Sequence, residues 1–388
     1  MLALHDLPAI DVHMHPWRSQ HLLTLEPEGF EDRTTMMGMC QLTSAQGGNL
    51  RERIEAFTNS TPFALRMRRS LAAMLGVEPT RAAVAAARQQ ALSVANGDYV
   101  KRLLDEANVE AVLYDEGYPQ PTVTRAAFAR DCPITLHRVA RIEPWIDALR
   151  DKADDFDEFE HRYEEKVRAE LTDPALVAFK SIIAYRTGLD VGDPSLDQCR
   201  TAFGEWRRDN YSESRAHAKP IRDRLLRTTF RLAASRRLPI HIHSGGGDPD
   251  VRLAYARPAN LFDLISDFSD HPVVLIHAGN PWIEEAAYLA SILPEVYIDT
   301  SVMVPWHTLA IDQKLEVLLG VAPPAKIMYG SDEASEPEVL WLSAHIMREA
   351  LDRVLSKAVD NGWFVAEDAR TIARGVLAGN ARVLHGLS

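Results

Sequence analysis

The sequence predicts an α/β chain folded as a distorted (β/α)8 TIM barrel with a helical insertion after its first strand. Three observations predict it: eight short apolar runs bounded by turn signals, helix-like stretches between them, and polar residues where several runs stop. Eight strands alternating with helices is the pattern of such a barrel, usually near ~250 residues before insertions. At 388 residues and 46% hydrophobic content, the chain can bury that core and carry extra segments.

The runs are Ala9 to Met14, Glu110 to Tyr114, His137 to Ile142, Leu176 to Ile183, Leu238 to His243, Val273 to His277, Glu295 to Asp299 and Lys326 to Gly330. Between them, Pro220 to Arg236, Pro258 to Ser269 and Pro281 to Leu293 read as helices that open on proline, where a helix tolerates it. The stretch from about Trp17 to Ala107 is rich in Ala, Arg, Leu and Glu at helical spacing and reads as an insertion over the barrel mouth. Asp151 to Glu160 and Tyr163 to Leu171 read as an exposed helix, and residues from about 336 to 387 as closing helices. No repeat, low-complexity tract or Pro/Ser/Gly linker interrupts the chain, so a single domain over 1–388 is expected.

A net charge of −12 and the lack of a Lys/Arg run exclude a nucleic-acid or membrane-surface protein. Cys40, Cys132 and Cys199 are odd in number and far apart, which argues against both a disulfide framework and a thiolate zinc site. With no export signal and no apolar run near the ~18 residues of a membrane span, a cytoplasmic setting is expected.

The chemistry begins at His13 and His15. Residues i and i+2 of a strand project to one side, so the pair can grip one ion. Barrel enzymes place reacting groups at the C-terminal ends of strands. Here those ends hold His13 and His15, then His241 and His243 before the Gly245-Gly246-Gly247-Asp248 loop, then His277, then Ser331-Asp332. Lys180 lies within the fourth run. Imidazole and carboxylate suit Zn2+, Mn2+ or Fe2+, with zinc preferred here, and an open site leaves room for a water acidified toward pKa ~7. Asp11 shares the face of His13 and either orients a ligand ring or bonds to the backbone. A lone histidine at a strand end is more often structural, but several in strand-end register reverse that reading.

The chain resembles the amidohydrolase superfamily. The resemblance rests on His13-Met14-His15, Lys180, the stretch from Pro239 through His241 and His243 to Gly245, Val274 through His277 to Gly279, Gly330-Ser331-Asp332, and Gly379-Asn380-Ala381-Arg382. Within it, the amidohydrolase-2 group is most similar, especially the barrel domain found fused to glutamine-synthetase-like proteins, through Phe179 to Leu189 and Gly247-Asp248. It implies His13, His15, His243, His277 and Asp332 as metal ligands, with one ion or two. In a binuclear site Lys180, carbamylated by CO2, bridges both ions; in a mononuclear site His277 polarises the substrate carbonyl.

The implied activity is hydrolysis of a C–N bond of an amide-type small molecule: metal-bound hydroxide attacks the carbonyl carbon while Asp332 and His277 serve catalysis. Tyr185, Arg186, His241, Arg252 and Trp282 are the candidate substrate-binding residues; for His241 core packing is the alternative. Guanidinium groups pair with carboxylates, so a carboxylate-bearing substrate fits. The same ligand set also fits a metal-dependent non-oxidative decarboxylase of an unsaturated or aromatic acid, and a non-catalytic binding barrel ranks behind both. A small-molecule substrate is the partner expected, and a homo-oligomer is compatible with the sequence.

Overall fold

The computed structural model describes residues 2–24, 29–35, 48–212 and 214–387. Eight strands form one sheet in chain order: β1 (Ala9–Met14), β2 (Val109–Asp115), β3 (Thr135–Arg141), β4 (Leu176–Ser181), β5 (Ile240–His243), β6 (Val273–Ile276), β7 (Val296–Asp299) and β8 (Ile327–Met328). All eight fall on the apolar runs of the sequence. The pairs β1–β2, β3–β4, β4–β5, β5–β6 and β6–β7 are parallel, and helices connect the strands, as a (β/α)8 barrel requires. Every residue of β1, β4, β5 and β6 is buried, the mark of parallel strands covered on both faces.

By its internal contacts the chain divides into two compact units: Met1–Leu136, Thr300–Val317 and Met328–Gly379, and His137–Asp299, Leu318–Ile327 and Asn380–Ser388. In the first, the free edge of β1 is bonded to the segment that follows β8. Val12 N–H donates to Tyr329 O at 3.0 Å, Asp332 N–H to His13 O at 2.8 Å and His15 N–H to Glu333 O at 2.5 Å. Helices fill the stretch after β1, at Ser19–Thr24, Phe30–Thr34, Gly48–Thr58, Pro62–Leu75 and Arg81–Ala107. Residues 25–28 and 36–47 of the insertion, Cys40 among them, lie outside the described residues. The long helix Pro337–Asp360 buries Leu340, Leu351 and Leu355, and it also buries Arg348. That guanidinium donates to the carbonyls of Leu7, Ala107 and Asn108, tying the entries of β1 and β2 to one point.

In the second unit, register sets the level of the later histidines. His243 pairs with Ile276, so His277 follows immediately beyond it at the same end of the sheet. The helix that precedes β5 differs from its reading: it spans Arg215–Ala233 with Ser214 as N-cap, and Pro220 lies inside it. The Ser214 side chain accepts the Ala216 N–H, and this cap outweighs the proline as a start signal. Pro258 opens a 3-10 turn that leads into helix Phe262–Asp267, and Pro281 precedes the helix Ile283–Ile292. The segment before β4 is also less exposed than expected, because helix Phe156–Glu170 buries Phe156, Phe159, Tyr163 and Val167. Cys132 and Cys199 are buried thiols outside any disulfide.

Candidate metal centre

At the end of β1, His13, His15 and Asp332 bring three ligand atoms within 4.8 Å of one another, all on buried side chains. Asp332 Oδ1 lies 3.1 Å from His13 Nε2 and 3.6 Å from His15 Nε2. The strand's two-residue period puts both rings on one side, and the hydrogen bond from Asp332 N–H to His13 O brings the aspartate to them. The set fits a divalent ion of the zinc, manganese or iron type, because two imidazoles and one carboxylate converge inside the protein. The tautomer fits as well. His15 Nδ1 donates to the Asp115 carbonyl at 3.3 Å, which leaves Nε2 with its lone pair on the side of Asp332.

Asp332 has a backbone φ of 59°, in the left-handed region that aspartate tolerates better than most residues. Asp11 holds the preceding residue: its Oδ1 accepts the N–H groups of His13 (3.1 Å) and Ser331 (3.0 Å), and its Oδ2 accepts the Ser331 hydroxyl. Ser331 Oγ in turn accepts the Glu333 N–H at 3.0 Å. Of the two roles read for Asp11, the backbone one is realised, and it extends to the loop that carries Asp332.

The second unit holds its own cluster. His277 Nε2 and His243 Nδ1 are 3.0 Å apart, and both residues are buried. His277 has a φ of 67°, Ala278 and Gly279 are also left-handed, and His277 N–H donates to Asp299 Oδ1 at 2.7 Å. The Tyr185 ring lies 4.4 Å from that of His243, and its hydroxyl accepts the Asp248 N–H at 3.0 Å. Gly247 is required there: a Cβ would stand 1.9 Å from Tyr185 Oη and 2.9 Å from His243 Cε1. Arg186 follows Tyr185, half-buried, with Asp250 at 3.9 Å. Lys180 is 1% exposed on β4 and is the register partner of His241.

His241 takes the core-packing arrangement: it is fully buried, with Nε2 2.9 Å from His385 Nε2. Burial, together with the charges of His385 and Lys180, holds its pKa well below the usual histidine range. Burial likewise pulls His385 down to about 4, against the opposing Ala381 carbonyl. Trp282 lies under the Arg257 guanidinium at 5.4 Å, and Arg252 is exposed. Sequence reasoning passed over Asp115, Asp299 and His385. The first two end β2 and β7, so the strand-end rule already in use would have found them.

Comparison with known proteins agrees with the fold and the resemblance. One region of the chain, residues 203–387, matches the family model described as amidohydrolase. It contains His243, His277 and Asp332 and leaves His13 and His15 outside. The chain is 32% identical over 243 residues to Protein fluG of Emericella nidulans, a match covering 60% of this chain and 28% of that protein. In structure it is similar to a protein assigned as a metal-dependent hydrolase from Lactobacillus casei (TM-score 0.83, 20% identity, 99% of this chain and 96% of that one). It is also similar to glucuronate isomerase from Caulobacter crescentus (TM-score 0.71, 14% identity, 100% and 93%). At these identities the two structures establish the fold. Among the described residues, no helix is long and apolar enough to cross a membrane.

Proposed function

We propose that the protein is a metal-dependent amidohydrolase that cleaves a C–N bond of a small, carboxylate-bearing molecule. The observation that carries this reading is the convergence of His13, His15 and Asp332 at the end of β1. These three hold the ion, zinc by preference. When bound, the ion supplies Lewis acidity and lowers the pKa of water toward ~7. Asp332 takes the proton from the attacking water as its oxygen adds to the carbonyl carbon, and returns it to the nitrogen as the C–N bond breaks. Arg186 pairs with the substrate carboxylate: it is half-buried, and its Nε has no hydrogen-bond partner among the described residues.

Metal analysis combined with product analysis tests the reading. Stoichiometric zinc, manganese or iron with release of amine or ammonia from a carboxylate-bearing amide is the expected result. Release of CO2 without amine moves the protein to the decarboxylase reading, and failure to bind any of these ions overturns both.

A further inference from the structure

The helices after β1 do more than follow the first two ligands in sequence, because they grip the segment that carries the third. Beyond Asp332 the chain places three glutamates, Glu333, Glu336 and Glu338, in full burial before and at the start of helix Pro337–Asp360. Arg88, on helix Arg81–Ala107 and 1% exposed, donates through Nε to Glu338 Oε1 at 2.5 Å and through Nη2 to Glu336. Tyr99, on the same helix, donates to Glu338 Oε1 at 2.8 Å. Arg33, on helix Phe30–Thr34, donates through Nε to the other oxygen of Glu336 at 2.5 Å. The Arg88 guanidinium also lies over the Phe30 ring at 4.2 Å, which joins the two helices at the same point.

Burying ionised groups in this way is costly, and an apolar core of the same volume is often at least as stable. Stability alone therefore does not account for the arrangement; its location does. Asp332 is fixed from its front by Asp11, Ser331 and the His13 carbonyl and from behind by the His15 N–H on the Glu333 carbonyl, and the anchors beyond these are Glu336 and Glu338. The five residues between Asp332 and Glu338 are thus held at one end by β1 and at the other by the inserted helices. A left-handed backbone at Asp332 persists where the surrounding structure over-determines it.

We infer that Arg88 is a positioning residue for the metal-ligand aspartate: through Glu336 and Glu338, with Arg33 and Tyr99 in support, it holds the 332–338 segment in the conformation that presents Asp332 to His13 and His15. This rests on the reading of those three residues as a metal site. Partners that orient a ligand without touching the ion commonly change metal affinity by ~10–100-fold when removed.

The test uses the full chain and zinc or manganese alone. Affinity is measured by chelator competition for the wild type, Arg88→Met, Arg88→Lys and the milder Tyr99→Phe, and amide hydrogen exchange over residues 331–338 is followed in the metal-free protein. The expected result is an affinity loss of ~10–100-fold in Arg88→Met, a smaller loss in Tyr99→Phe and partial recovery in Arg88→Lys, with faster exchange confined to 331–338. Unchanged affinity in folded Arg88→Met, or in Tyr99→Phe where Arg88→Met does not fold, overturns the positioning role. A wild type that binds neither ion overturns the metal site itself, so the two failures are separable.

Discussion

Asp11 and Ser331, 320 positions apart in the chain, are joined by two hydrogen bonds, one from the Ser331 N–H and one from its hydroxyl. A carboxylate that accepts two bonds from one residue fixes that residue's position and orientation together. The next residue is Asp332, so the start of the first strand governs a ligand delivered from the end of the last.

Breaking that link weakens metal binding without touching a ligand. Ser331→Ala removes one of the two bonds and keeps the N–H bond, so a several-fold loss of zinc affinity is expected; Asp11→Ala, which removes both, is expected to lose ~10–100-fold. Isothermal titration on each variant gives the ranking, and equal affinities for the wild type and Asp11→Ala contradict it.

Replacing the ligand itself separates chemistry from folding. Asp332→Asn keeps the volume and the left-handed preference of the residue, so the circular dichroism of the wild type is retained. Turnover falls by at least ~10²-fold, because the amide neither takes up the water proton nor neutralises the ion. A variant with full turnover removes Asp332 from the proposed reaction.

Acid sensitivity follows from the His241–His385 pair. Burial holds both rings neutral, His385 at about 4, whereas an unfolded histidine titrates near ~6.5. The unfolded chain thus binds protons first as pH falls, so the stability is fully present above ~6.5 and is lost as pH drops toward 4. For His385 alone this amounts to on the order of 3 kcal/mol. Thermal unfolding of His385→Gln between pH 4 and 7 shows a flatter acid limb than wild type; an unchanged limb assigns the sensitivity elsewhere.

Gly247 gives a test by rescue. A methyl group there meets the Tyr185 hydroxyl, so Gly247→Ala displaces the ring from His243 and destabilises by about 1–3 kcal/mol. Adding Tyr185→Phe removes the atom in closest conflict, so the double variant recovers part of the lost melting temperature. A strictly additive double variant contradicts the contact.

The eight strands were legible because most are short, buried apolar runs, and the His13, His15 and Asp332 cluster because strand ends can be read from those runs. The partner of His241 was not: His385 lies 144 positions away on a short terminal helix, and no local pattern pairs a strand residue with it. The start of helix Arg215–Ala233 was hidden because Pro220 is the stronger local signal and the Ser214 cap is the one realised. The burial of the carboxylates after Asp332 was not legible either. Their arginine partner lies on a helix about 250 positions earlier, and an ion pair of that span leaves no periodic trace.

The bond from Asp332 to His13 also sets an order of events during synthesis. The two histidines leave the ribosome first, and the aspartate follows more than three hundred positions later. At ~5–20 residues per second, His13 and His15 wait some tens of seconds for the third member of their group. A metal held by all three would therefore act as a late seal on this barrel, bound only after its last strand is made.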